Sequence, residues 1–430
     1  MMHLHSAGKM ARAAITPANI ARAAIAPANI ARAAITPAII AVCLVVCLAA
    51  CSLAPYSAVF AQEQTAGLKI SSKAAILMDY SSGEILYEKN SHAALPPASV
   101  TKVMTLALAL EALQDGRAKL DTLVSTSEFA ASMGGTQIWL ETGEQMSYND
   151  LLYAIAVGSA NDAAVAVAEY LSGSIAAFAD VMNSKAKTLG MKDTHFSNPN
   201  GLPPSELGMT EKHVTSAYDL AVLARWAWKL PMFAESAGTW GPVVMRAETK
   251  RQPELWTFNK MLKTYSGMDG IKTGMTGEAG FCLAATAMRN NVRLIAIALG
   301  AATSTERNKD IATMFDYGFA QIQAVKVAVA GEKVGDVSVQ RGKVSNVAVA
   351  PVHDVVVTAR RGQKLEPVEE IVTVKKPSAP IKKGQAIAQL VVKVNGKEAA
   401  RVDLVAMADV QKSTVLQMML QGVQHAFGAK

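Results

Sequence analysis

The stretch ASVTKVMTLALALEAL, residues 98–113, sets a serine and a lysine three apart at the head of an otherwise apolar helix. That offset puts Ser99 and Lys102 on one helical face. Val103, Met104, Leu106, Leu108, Leu110 and Leu113 fall on every side, so the helix is expected at the centre of a domain. A polar pair at the end of such a helix needs partners. A serine hydroxyl attacks only when a base takes its proton, and a lysine serves as that base only when its ammonium is destabilised. The helix dipole, apolar burial and a second cation nearby would each do so. On this reading Ser99 is the nucleophile and Lys102 its proton acceptor. A competing reading makes Ser99 a helix cap after Pro96 and Pro97 and Lys102 a solvated first-turn lysine. The spacing alone does not separate the two, because it recurs at Ser6 with Lys9 and at Ser184 with Lys187.

Two more polar clusters follow. Ser159 and Asn161 occupy GSAND, a short break between two apolar helical patterns. A hydroxyl there would pass a proton between Lys102 and a leaving amine, and the Asn161 amide would hold Lys102 and a substrate carbonyl together. Alternatively, Asn161 or Asp162 simply caps the next helix. Lys272, Thr273 and Gly274 follow a strand-like run. A lysine and a hydroxyl side by side suit a carboxylate, and a glycine lets the strand approach substrate closely. Lys272 would also be the second cation that keeps Lys102 neutral; as a lone triplet it reads equally as a strand edge before a turn.

Around these clusters, KAAILMD and EILYEKN read as a hairpin through Ser81, Ser82 and Gly83. Helices are expected over 148–157, 162–171, 175–189 and 216–229, then strands DGIKTG, GFCLAATAMR and VRLIAIALG, and a helix over 306–323. Strands at both ends with helices between them imply one mixed sheet flanked by helices. From Val325 to Met407 the sequence turns Val-rich and punctuated, the pattern of a separate small all-β domain. In the last segment Val415, Leu416, Met419, Leu420, Val423 and Phe427 share one helical arc. Two readings fit this amphipathic tail equally: a helix in a membrane surface, or a helix docked on the β domain.

The 430 residues are 51% apolar, enough for a sizeable core. Of the net charge of +7, four units come from Lys9, Arg12, Arg22 and Arg32 in a leader without Asp or Glu, so the body shows no nucleic-acid-binding balance. Cys43, Cys47 and Cys51 lie in that leader and Cys282 alone in the body, so the body holds no internal disulfide, and no Cys/His cluster has zinc spacing. The leader carries a basic near-repeat (ARAAITPANI, ARAAIAPANI, ARAAITPAII), the apolar run IIAVCLVVCLAA, and small residues Val59 and Ala61 before a cut after Ala61. Export is therefore expected. LAAC at 48–51 also resembles a bacterial lipobox, with Cys51 lipidated, and an uncleaved anchor is a third reading.

S-V-T-K at Ser99, S-A-N at Ser159 and K-T-G at Lys272, in that order, resemble the motif set shared by penicillin-binding proteins and serine β-lactamases. The chain is most similar to the low-molecular-mass penicillin-binding proteins, serine-type D-alanyl-D-alanine carboxypeptidases, through AAILMDYSSGEILYEKN, PPASVTKVMT, GSANDAA, HVTSAYDLAVLA and DGIKTGMTGEAGFCLAATA. The resemblance implies an α/β fold, a β-lactamase/transpeptidase-like domain with an antiparallel sheet flanked by helices, followed by a small all-β domain and a C-terminal amphipathic helix. Bounds of 1–61 for the leader, 62–324 for the peptidase domain, 325–409 for the β domain and 410–430 for the helix are expected. It implies Ser99, Lys102 and Ser159 as catalytic; Asn161, Lys272, Thr273, Gly274 and Arg307 as substrate-binding; and the backbone N–H groups of Ser99 and Met275 as an oxyanion hole. No metal or cofactor is implied. The implied partners are peptidoglycan stem peptides ending in D-Ala-D-Ala, β-lactam antibiotics as substrate mimics, and a membrane surface through the tail. The implied location is the exported bacterial envelope, in the periplasm or on the outer face of the cytoplasmic membrane. A β-lactamase or D,D-endopeptidase of the same fold is the alternative, and a non-catalytic envelope binding protein a more distant one. Met275 after K-T-G and Asn200 in NPNGL stand where some relatives have histidine.

Overall fold

The computed structural model describes residues 67–245, 253–363, 365, 367–373, 376–394 and 396–414. The expected leader, with its Ala61 cut and Cys51 alternative, and residues 415–430 of the expected tail helix lie outside the described residues.

One five-stranded antiparallel sheet organises the first part of the chain. Its strands are β1 (Ala74–Asp79), β2 (Ile85–Lys89), and, far along the sequence, β3 (Met268–Thr276), β4 (Gly280–Arg289) and β5 (Val292–Ala301), in the spatial order β2-β1-β5-β4-β3. The β1–β2 hairpin turns where Asp79 Oδ2 accepts from the Ser82 N–H at 2.8 Å. The β4–β5 turn uses Asn290 and Asn291, both at positive φ, the backbone a tight two-residue hairpin requires.

The strands read as unbroken apolar runs because both faces are covered. Ala74, Ile76 and Met78 face one core, with Ile295, Ile297 and Leu299 of β5. Ala75 and Leu77 face the other, with Leu294, Ala296 and Ala298. The period-two alternation of a strand thus serves two layers. On the first face lie α1 (Lys102–Gln114), α2 (Tyr148–Ala156), α3 (Asn161–Ser172), α4 (Ile175–Leu189) and α5 (Ala217–Ala227). On the second, α6 (Ser304–Gln321) packs Ile311, Met314 and Phe315 against the sheet. α1 is buried from Lys102 through Leu110, as its all-round apolar pattern requires.

β6 (Ile322–Ala328) continues directly from α6 and pairs with β9 (Val355–Arg360). β7 (Gly335–Ser338), β8 (Asn346–Pro351), β10 (Val368–Val372), β11 (Ala386–Val394) and β12 (Lys397–Ala406) form a second five-stranded sheet in the order β7-β8-β12-β11-β10. Val349, Val357, Val392 and Leu404 make its core. The β1–β2 turn meets this region through the Thr358 hydroxyl, which donates to Asp79 Oδ2 at 2.6 Å, and through Arg360 on Glu84 at 2.8 Å.

The tail helix does not begin at residue 410. Val410 bridges to Ile381 and Lys412 to Gly342 as extended chain, and the Ser413 hydroxyl donates to the Gly342 carbonyl. Backbone pairing there outcompetes the helical pattern that starts further on. Among the described residues, no single helix is long and apolar enough to cross a membrane.

Candidate active site

A single 3-10 turn, Ala98–Thr101, leads into α1 and carries Ser99. No side chain caps this turn or the helix after it, so the capping reading of Ser99 does not hold. The Ser99 Oγ instead lies 3.1 Å from Lys102 Nζ. Lys102 is 1% exposed, and its other two hydrogen-bond partners are Asn161 Oδ1 at 2.6 Å and the Asn200 backbone carbonyl at 2.7 Å. Carbonyl oxygens only accept. A neutral amine has two hydrogens and one lone pair, so the hydrogens go to Asn161 and Asn200 and the lone pair is left facing the Ser99 hydroxyl. Burial, then the nearby Lys272 charge, hold the Lys102 ammonium well below the ordinary lysine value, while Asp162 opposes them.

Ser159 and Asn161 sit on the break between α2 and α3, where Ser159 takes a φ of +56°. Left-handed backbone at a non-glycine residue costs about 1–3 kcal/mol and is held by its surroundings. Here the Thr136 hydroxyl donates to the Ser159 carbonyl, Asn161 N–H to the Thr136 carbonyl, and Asn161 Nδ2 to the Gly134 carbonyl, all near 2.7 Å. Asp162 is no helix cap; its carboxylate accepts from the N–H groups of Ile138 and Leu140 and fastens the 134–140 loop to the start of α3. The proton path expected through Ser159 is not made here: the three contacts of Lys102 go to Ser99, Asn161 and Asn200.

Lys272, Thr273 and Gly274 lie on β3, the edge strand facing the Ser99 turn. A Cβ on Gly274 would stand 2.8 Å from the Pro97 carbonyl and 3.0 Å from the backbone nitrogens of Ser99 and Val100. The glycine therefore admits the nucleophile's own backbone, and it also lines the cavity beside it. Lys272 is buried, and its one hydrogen-bond partner is the Thr273 carbonyl at 3.1 Å. Burial and the Arg307 charge pull its pKa down to about 7. Arg307, on the first turn of α6, donates to Asn308 Oδ1 at 2.8 Å and to the carbonyl of Cys282 at 3.5 Å; burial lowers its pKa as well. Lys102, Lys272 and Arg307 make no salt bridge among the described residues, and the charge of Arg307 acts on Lys272 as that of Lys272 acts on Lys102.

Ser99, Ser159 and Asn161 line one side of a cavity of about 480 Å³, and Thr273, Gly274, Met275 and Arg307 line another. Lys102 and Lys272 stand behind its wall, where together they border a void of about 10 Å³. Leu202, Phe258 and Phe281 supply apolar surface, and among the described residues that line it none is Asp or Glu. Met275, 60% exposed, lies at the rim of this lining. Sequence reasoning missed the Asn200 carbonyl, the packing role of Gly274 and the loop clamp at Asp162. Only the glycine of NPNGL, whose Cβ would fall 1.9 Å from the Ala98 carbonyl, hinted that this turn abuts the nucleophile.

Comparison with known proteins agrees with this arrangement. A family profile described as D-alanyl-D-alanine carboxypeptidase matches residues 59–303, and one described as the C-terminal domain of penicillin-binding protein 5 matches residues 323–412. The D-alanyl-D-alanine carboxypeptidase DacF of Bacillus subtilis is 40% identical over 352 residues, 82% of this chain and 89% of that one. The crystal structure of a peptidoglycan synthesis regulatory factor, PBP3 of Streptococcus pneumoniae, covers 80% of this chain and 100% of its own, with a TM-score of 0.68 and 27% identity. Penicillin-binding protein D2 of Listeria monocytogenes, in its ampicillin-bound form, covers 59% of this chain and 99% of its own, with a TM-score of 0.52 and 32% identity. The profile spans more than half of the sequence and the likeness to DacF runs through both sheets, so the chain belongs to the D-alanyl-D-alanine carboxypeptidases, serine hydrolases of the penicillin-binding protein 5 type.

Proposed function

We propose that this carboxypeptidase removes the terminal D-Ala of peptidoglycan stem peptides through an acyl-enzyme on Ser99. The observation that carries the assignment is the Lys102 amine, 3.1 Å from Ser99 Oγ with both its other neighbours carbonyl acceptors. Ser99 Oγ attacks the carbonyl of the penultimate D-Ala as its proton passes to Lys102 Nζ. The backbone N–H groups of Ser99 and Met275 receive the oxyanion. As the amide C–N bond breaks, the proton held by Lys102 goes to the leaving D-Ala nitrogen, by way of the Ser159 hydroxyl once substrate has displaced it towards the amine. Water then attacks the ester as its proton passes to Lys102, and Lys102 returns that proton to Ser99 Oγ as the ester C–O bond breaks, which frees the acid and restores both residues. The terminal carboxylate is held by Thr273 and Arg307, which line the cavity, with Lys272 behind them, and Asn161 orients both Lys102 and the substrate.

β-Lactams acylate the same serine. The ampicillin-bound relative supports this. Residues 62–324 then act as the peptidase domain and 325–409 as the β domain, in an exported envelope protein released by the cut after Ala61. The decisive experiment incubates the protein with a fluorescent penicillin beside Ser99→Ala and follows D-alanine release from a D-Ala-D-Ala peptide. Labelling and release by wild type and neither by the variant are expected. Equal labelling of both would falsify the nucleophile assignment.

A further inference from the structure

We infer that His213 is a positioning residue for the Ser99–Lys102 pair, clamping the turn that carries them to the turn whose carbonyl holds the lysine; the inference rests on the catalytic reading above. His213 is buried between the two. The Ser197 N–H donates to its Nδ1 at 3.0 Å, so Nδ1 is the acceptor and Nε2 carries the hydrogen. That Nε2–H donates to Thr101 Oγ1 at 2.7 Å. One imidazole thus reaches the last residue of the Ser99 turn with one nitrogen and the first residue of the 197–202 turn with the other.

The second turn is stiff. Asn198 Oδ1 accepts from the Gly201 N–H at 2.7 Å, and the Thr105 hydroxyl of α1 donates to the Pro199 carbonyl at 2.6 Å. Its Gly201 lies so close to Ala98 and Thr101 that a Cβ would fall 1.9 Å from the Ala98 carbonyl and 2.7 Å from Thr101 Oγ1. At its far side the Asn200 carbonyl takes one hydrogen of Lys102. The two turns are therefore tied at three points, the imidazole, the backbone contact and the lysine, and the width of the imidazole sets how far apart the outer two stand.

The two hydrogen bonds of His213 fix one tautomer, and burial first, then the charged forms of His195 and Lys102, lower the ring's pKa to about 3, which favours the neutral imidazole. Its backbone is secured independently of the ring. Val214 bridges His195, Thr215 bridges Leu95, and the Ser216 hydroxyl caps α5. Replacing the ring therefore loosens the two turns without unthreading the segment.

The test uses His213→Leu, which removes both hydrogen bonds; His213→Gln, which keeps a donor at the Nε2 position; and His213→Asn, which keeps an acceptor at the Nδ1 position. Acylation by a fluorescent penicillin is followed in a single turnover across pH, with the labelled fraction as a count of folded sites. His213→Leu is expected to acylate about 10- to 100-fold more slowly, with partial recovery in Gln or Asn and the labelled fraction unchanged. Its acid limb moves to lower pH, because the Asn200 carbonyl favours the charged form of Lys102 and is held less well. The charged groups facing Lys102, namely Lys272 and Asp162, are untouched in all three variants. A reduced labelled fraction with wild-type rate and midpoint in the survivors overturns the proposal, as do wild-type rate and midpoint throughout. Labelling of Ser99→Ala in the same experiment would instead place the error in the nucleophile.

Discussion

Replacing Gly274 by alanine tests whether the edge strand and the nucleophile's turn are locked together. The added Cβ would lie 2.8 Å from the Pro97 carbonyl oxygen, against an ordinary contact of about 3.5 Å, so something must give by roughly 0.7 Å. Every atom it meets is backbone: the Pro97 carbonyl and the nitrogens of Ser99 and Val100. No side chain can rotate out of the way, and the displacement falls on Ser99 or on the strand that carries Lys272 and Thr273. A misplacement near 1 Å costs about 100-fold in an oriented reaction, so roughly 10- to 50-fold slower acylation is expected. Overpacking should also cost about 1–3 kcal/mol of stability. Gly277, three residues on, has open space where its Cβ would be, and Gly277→Ala provides the matched control with little effect on either quantity. Single-turnover acylation with a fluorescent penicillin and thermal unfolding measure both. A Gly274→Ala protein that acylates and melts like wild type would refute the close packing argued here.

Three further outcomes are expected. Lys102→Arg should fold but acylate more than about 1000-fold more slowly, since a guanidinium holds its proton at any working pH; a residual rate above a few per cent would exclude lysine as the base. Lys272 loses its proton near pH 7 in the folded protein but near 10.5 when unfolded, so between those values the unfolded chain binds more protons and stability rises with pH. Lys272→Met removes that dependence: it should raise the melting temperature at pH 6.5, by on the order of 2–5 kcal/mol in stability, and the gain should shrink towards pH 10, a trend that a melting series would reverse or abolish if Lys272 were solvated. Asp162→Ala strips the acceptor shared by the N–H groups of Ile138 and Leu140, and about 2–5 kcal/mol of stability should go with it, checked by urea denaturation; a loss under 1 kcal/mol would mean that the loop is not clamped there.

Much of this was legible in the residues because it is local. The Ser99–Lys102 contact follows from helical spacing, the sheet from apolar runs bounded by turn residues, and α4 appears at Ile175–Leu189 as the pattern between Ser174 and Gly190 predicts. What stayed hidden depends on contacts across long separations. The Asn200 carbonyl is 98 residues from Lys102, and a backbone oxygen leaves no trace in residue type. The packing of Gly274 on the Ser99 turn was not legible, because a strand sequence does not say what faces its edge. The Ser99 hydroxyl could have capped its helix; only the approach of Lys102 and the absence of a cap bond decide otherwise. In the tail, the pairing of Val410 with Ile381 and of Lys412 with Gly342 overrides a start position that periodicity alone suggested.

Arg307, and Lys272 where it is protonated, make no salt bridge among the described residues, which has a consequence for how the protein behaves in solution. A site that concentrates positive charge without a counter-ion attracts whatever small anion the buffer supplies. Chloride, acetate or phosphate will compete weakly with any carboxylate-bearing inhibitor, and apparent affinities will drift with the salt chosen. Binding of the right acid should therefore tighten the whole fold as well as fill the groove.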